Sequence, residues 1–162
     1  MRPIFVVVLA ALATAPIAPG AGTVRAVVFT VKTMPGPTIE HAHPPTGMVG
    51  DTFVSSLELE NGRTPQLGRP ARAAVGTMQF TYTIRRQCTS FGTTCVATAD
   101  FDSVSTLPGG TVDADGNALS IADPTITIPV TGGTGRYAGA TGTVSISPTS
   151  TTHSTYRLEL PS

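Results

Sequence analysis

Charge is scarce in this 162-residue sequence: Asp, Glu, Lys and Arg make up 12% of it, against roughly a quarter in an average soluble protein. Ten basic and ten acidic residues are scattered along the chain and cancel to a formal charge of zero. No basic cluster is available to track a phosphate backbone, which argues against nucleic acid as a partner. Tryptophan is absent, lysine occurs once (Lys32), and there are only two cysteines. Their spacing is not CxxC and no third sulfur ligand exists, so neither a redox motif nor a zinc cluster is supported. Helical periodicity is nearly missing. No apolar run reaches the roughly 20 residues needed to span a bilayer.

What is present begins with a leader. Met1-Arg2 gives a positive start, Ile4 to Leu12 is unbroken apolar, and Pro16 to Gly22 is rich in small and helix-breaking residues. That is the layout of a secretory signal peptide. We expect residues 1–20 to be removed, residues 21–162 to form one domain, and the protein to be secreted, with no membrane span after cleavage. Cys88 and Cys95, with six residues between them and outside a reducing cytoplasm, are then expected to pair as a disulfide across a turn. A loop of that size adds about 2–3 kcal/mol by restricting the unfolded chain.

Period-two alternation recurs through the remainder. Strands are expected at Thr23–Thr33, Asp51–Glu60, Ala73–Gln87, Thr94–Asp102, Gly110–Asp113, Leu119–Thr131, Thr141–Ser147 and Thr152–Leu160. Met34–Gly47, with Pro35, Pro37, Pro44 and Pro45, reads as a loop. The clearest strand places Gly76, Met78, Phe80, Tyr82 and Ile84 on one face and Thr77, Gln79, Thr81, Thr83 and Arg85 on the other. About eight such strands describe an all-β antiparallel sandwich or barrel, and a barrel removes exposed edges. Eight strands enclose an interior that side chains fill or that holds one small ligand. The inward set mixes small residues with aromatics: Phe53, Met78, Phe80, Tyr82, Phe101 and Tyr156 are the candidate cavity-lining side chains.

Several motifs imitate chemistry. Gly133-Thr134-Gly135-Arg136-Tyr137-Ala138 matches a dinucleotide fingerprint, but that site needs a helix starting there inside a βαβ unit. A tight glycine-rich crossing between strands fits better. His41 and His43 lack a further ligand at fixed spacing, so no metal site is assigned. Asp113-Ala114-Asp115-Gly116-Asn117 opens like a calcium loop, yet the position of the bidentate glutamate is Pro124. Those residues suit a hairpin turn. Asp100 and Asp102 share the polar face of a strand. No catalytic constellation is legible, and His153 has no nucleophile beside it.

The segment Ile128–Val144, with Gly132-Gly133-Thr134-Gly135-Arg136-Tyr137-Ala138-Gly139, resembles the signature of the allene oxide cyclase barrel-like group, which is related to dirigent proteins. Gly50-Asp51-x-Phe53 and Tyr156-Arg157-Leu158 extend the resemblance. It implies an eight-stranded antiparallel barrel that binds a small apolar molecule and guides cyclisation or coupling without a cofactor. In allene oxide cyclases the first strand carries a cavity-facing glutamate, whereas Phe29-Thr30-Val31-Lys32 has none, and Met78 stands where those enzymes carry a cysteine. The implied function is a cofactor-free cyclase or isomerase acting on a polyene, polyketide or oxylipin-like substrate, with Tyr82 and Tyr156 as candidate donors to a developing oxyanion. The alternative is a non-catalytic barrel that carries or guides such a molecule. Nothing in the sequence sets an oligomeric state.

Overall fold

A computed structural model describes residues 24–41, 48–87, 97–147 and 153–161. The expected signal peptide (residues 1–20), the expected disulfide cysteines Cys88 and Cys95, and His43 lie outside the described residues. Eight strands follow one another in chain order around a closed antiparallel barrel. They are β1 (Val24–His41), β2 (Thr52–Asn61), β3 (Ala74–Arg86), β4 (Thr98–Leu107), β5 (Gly110–Ser120), β6 (Ile126–Gly133), β7 (Thr141–Ser147) and β8 (His153–Pro161). No helix among the described residues is long and apolar enough to cross a membrane.

Alternation builds the core directly. In β4 the residues Ala99, Phe101, Ser103, Ser105 and Leu107 are buried, while Asp102, Val104 and Thr106 between them are exposed. Successive side chains of a strand point to opposite faces, so one face of each strand fills the barrel. Asp100 belongs to the outer face, where it accepts hydrogen bonds from the Ala118 amide and from Arg85. The Ala118 amide, and then Arg85, hold its carboxyl below the usual range.

Three sequence expectations change. The proline-rich stretch read as a loop from Met34 continues β1 as far as His41, paired with β2 through Thr38–Ser55, Ile39–Val54, Glu40–Phe53 and His41–Thr52. A bulge between Pro35 and Thr38 absorbs the prolines, because a strand tolerates a missing N–H where its ladder is interrupted. Asp113–Asn117 is not a turn but the middle of β5, and the β4–β5 reversal falls at Pro108-Gly109. The strand expected from Leu119 starts at Ile126, with Leu119 and Ser120 closing β5.

The two barrel ends are built differently. At the lower end, where β1 starts and β8 finishes, the connections fold inward as a plug. The 3-10 turn Gly135–Tyr137 buries Tyr137 completely, and its hydroxyl donates to the Pro108 carbonyl at 3.3 Å. The glycine motif forms the expected tight crossing between β6 and β7, and a three-residue turn offers no helix terminus for a pyrophosphate. Gly142 has φ +124°, and a Cβ there would overlap the Arg157 carbonyl oxygen. Asn61, 1% exposed, donates from Nδ2 to the carbonyls of Gln66, Arg69 and Pro70 at 2.9–3.0 Å. Gln66 in turn pairs with both backbone groups of Thr30, accepting at Oε1 and donating from Nε2. A side-chain amide thus continues the ladder where β2 has ended.

Candidate functional site

The upper end is where β1 finishes and β2 begins. There the inner face carries Phe53, Tyr82, Phe80 and Phe101 from three consecutive strands. Register fixes the row, since Phe53 opposes Tyr82 and Tyr82 opposes Phe101. Phe53 stacks on Tyr82 with ring centroids 4.7 Å apart, and Phe80 lies 5.4 Å from Phe101. Pairs of this kind contribute roughly 0.5–1.5 kcal/mol each beyond burial.

The opposite wall is held by a short seam. β5 and β6 pair only through Val112–Gly133, Asp113–Gly132 and Ala114–Val130, with a register shift above Asp113. Higher up, Pro129 lacks an N–H to extend that ladder. β5 bulges against β4 between Ala99 and Phe101. Above this short seam a recess of about 270 Å³ opens, lined by Phe80, Tyr82, Phe101, Ile121 and Ile126. A second recess of about 220 Å³ shares Ile126 and is lined also by Leu119, Ser120 and Asp123. The aromatic wall therefore faces a gap between strands, not a packed partner.

Below the recess the interior is polar, then solid. Ser103 and Ser105 are buried, and Ser105 Oγ lies 2.8 Å from the Tyr156 hydroxyl. Phe29 stacks on Tyr156 at 4.7 Å, and Met78, Leu59 and Val144 complete the fill. Thr33 and Ser154 bury hydroxyls that have no partner among the described residues.

Of the six candidate lining residues, Phe80, Tyr82 and Phe101 border the recess. Phe53 stands behind Tyr82, and Met78 and Tyr156 are fully buried in the fill. Burial pushes the Tyr156 hydroxyl well above the ordinary tyrosine value, with the Ser105 bond opposing the shift. It stays protonated and already has a partner, so it is poorly placed to meet a substrate. Tyr82 is half-buried, and burial first, then the nearby Glu40 carboxylate, raise its pKa.

Glu40 was considered by sequence reasoning only as a loop ligand beside His41 and His43, and its place on the inner face was missed. It sits opposite Phe53 on the inner face of β1, although Phe29–Lys32 has no acid. Ile121 and Ile126 were missed as well, because both fall at a turn whose boundary was misplaced. The signal for Glu40 was alternation resuming after the prolines, in Thr38-Ile39-Glu40. A loop reading of the prolines hid it.

An eight-stranded antiparallel barrel has an interior just wide enough to be filled by side chains or to hold one small ligand, and here one end is plugged and the other is aromatic and partly open. The chain belongs to the Dirigent-like protein family, whose pattern it matches over residues 22–160. Among solved structures it is similar to a pyocyanin demethylase, at 21% identity and TM-score 0.64, covering 82% of this chain and 99% of that one. It is similar also to AbnU, an exo-specific intermolecular Diels-Alderase, at 18% identity and TM-score 0.65, covering 85% and 99%. A pterocarpan synthase dirigent protein aligns at 16% identity and TM-score 0.56, covering 91% and 98%. No curated protein sequence matches the chain.

Proposed function

We propose that this protein is exported and acts as a cofactor-independent cyclase or isomerase, using its upper recess to fold a small apolar substrate into a reactive shape. The observation that carries the reading is the aromatic wall of Phe80, Tyr82 and Phe101 facing an unpaired seam. Volume limits the substrate. A recess of about 270 Å³ lies just under the roughly 300–1,000 Å³ of typical ligand sites. It accepts one or two fused rings, or the reacting part of a longer chain whose remainder leaves through the β5–β6 gap.

Confinement suits reactions that need no group from the protein. In a [4 + 2] closure two σ bonds form as two π bonds are consumed, and no proton or electron enters or leaves. Holding the diene and alkene in contact supplies proximity and orientation. The Tyr82 hydroxyl, protonated at neutral pH, is placed to polarise a carbonyl on the alkene partner. Family membership and the resemblance to a Diels-Alderase and a pterocarpan synthase dirigent protein support this choice of reaction class. A second reading, a non-catalytic carrier or guide, uses the same recess without the rate enhancement.

The test is incubation of the mature protein with a linear triene ester bearing a tethered alkene, following rate and stereoisomer ratio by chromatography. A rate or ratio changed from buffer is expected. Binding of the triene with kinetics and product ratio identical to buffer would leave only the carrier reading, and no binding at all would overturn both.

A further inference from the structure

The charge around the upper recess is one-sided. Glu40 lies in the same cross-strand row as Phe53 and Tyr82, on the inner face. Neighbouring residues across a strand pair project from the same face, so its carboxylate stands over the aromatic end. Asp123 lines the adjoining recess. Asp51, fully buried beneath the same rim, accepts the Met48 amide at 2.8 Å and so belongs to the turn.

No described basic side chain answers these acids from inside. Lys32 belongs to the outer face, in register with Glu60 on one side and His153 on the other. Arg85 bonds Asp100 on the outer wall, and Arg86 lies opposite Thr98 on that same face. His41 follows Glu40 and alternates outward, opposite Thr52. The segments 42–47, 88–96 and 148–152, which connect strands at this end, contain no lysine or arginine.

We propose that the recess selects flat, apolar molecules that carry a positive charge, the ring lying against Phe80, Tyr82 and Phe101 and the charge held by Glu40. This names the substrate class of the site described above and rests on that reading. Two effects act together. Aromatic faces attract a cation through their quadrupole, more strongly once it leaves water. A carboxylate at the rim attracts it further; Glu40 is exposed, so salt screens that attraction and it is strongest at low ionic strength. A substrate that only develops positive charge as it reacts would be favoured in the same way, most at the moment of greatest charge.

Two probes of equal shape separate charge from shape: 1-methylquinolinium and its neutral isostere 1-methylnaphthalene. Their affinities for the mature protein are measured by fluorescence at low salt. The cation is expected to bind about 10-fold tighter or more, as the combined aromatic and carboxylate attractions imply. In Glu40→Gln that advantage should shrink to within about threefold, since only the aromatic contribution is left, while circular dichroism confirms an unchanged fold. Asp123→Asn reports the weaker rim charge and should keep most of the preference. Equal or tighter binding of the neutral probe overturns the proposal while leaving the apolar recess in place. An undiminished preference in Glu40→Gln overturns it too. Failure of both probes to bind removes the recess reading itself, and this inference with it.

Discussion

The lower and upper ends of this barrel use the same eight strands for opposite purposes. At the lower end backbone meets backbone: glycine lets Gly142 pass the Arg157 carbonyl, and one amide, Asn61, gathers three loop carbonyls. At the upper end side chains meet a gap, with four aromatic rings against a seam of three register pairs. At the lower end the loops are tied together by backbone and amide hydrogen bonds. Binding capacity is concentrated where the ladder is cut short. The contrast explains how a chain with so few charges can be both firm and receptive.

The largest expected effect breaks the lower end. Gly142→Ala forces a side chain at φ +124° against a carbonyl, and should cost more than about 4 kcal/mol. Urea denaturation should show either a collapse of the midpoint or no folded protein. Asn61→Ala comes next. It removes three side-chain hydrogen bonds to loop carbonyls that keep one backbone donor each, and should cost about 2–3 kcal/mol, read as a lower Tm, while 1-methylnaphthalene binding at the far end is unchanged. If binding fell in parallel, the two ends would not be independent.

Tyr82→Ala reverses the pattern. A half-buried ring is lost, so stability should fall by only about 1–2 kcal/mol, whereas probe affinity should fall by roughly a factor of ten. A large stability loss without a change in affinity would mean that the aromatic row is core and not site. The smallest effect lies between the ends. Thr33 buries a hydroxyl with no partner among the described residues, so Thr33→Val keeps the shape and should raise stability by about 1 kcal/mol. A clear loss of stability on calorimetry would reveal that the hydroxyl does have a partner in solution.

Much of the barrel was legible because alternation is a local signal. Phe53, Ser55, Leu57 and Leu59 share a face in the sequence and share it in β2. Ser154, Tyr156, Leu158 and Leu160 do so in β8, each of them buried. The glycine segment could be read as a crossing because no helix pattern followed it. The functional end was less legible for two reasons. Prolines in β1 hid a strand that only its β2 partner could hold straight, and Glu40 was hidden with it. Phe80 and Met78, two residues apart on one face, could not be told apart, yet one lines the recess and the other is fully buried.

The sequence by itself therefore determined the number of strands, most of their inner faces and the tight glycine crossing, since each depends on side-chain alternation or backbone conformation over a few residues. Only the tertiary structure decided which end is plugged, where the recess opens and which acid stands over it. Those outcomes depend on the register between strands distant in the chain, on where a ladder stops for want of an N–H, and on how volumes from eight strands sum in one interior.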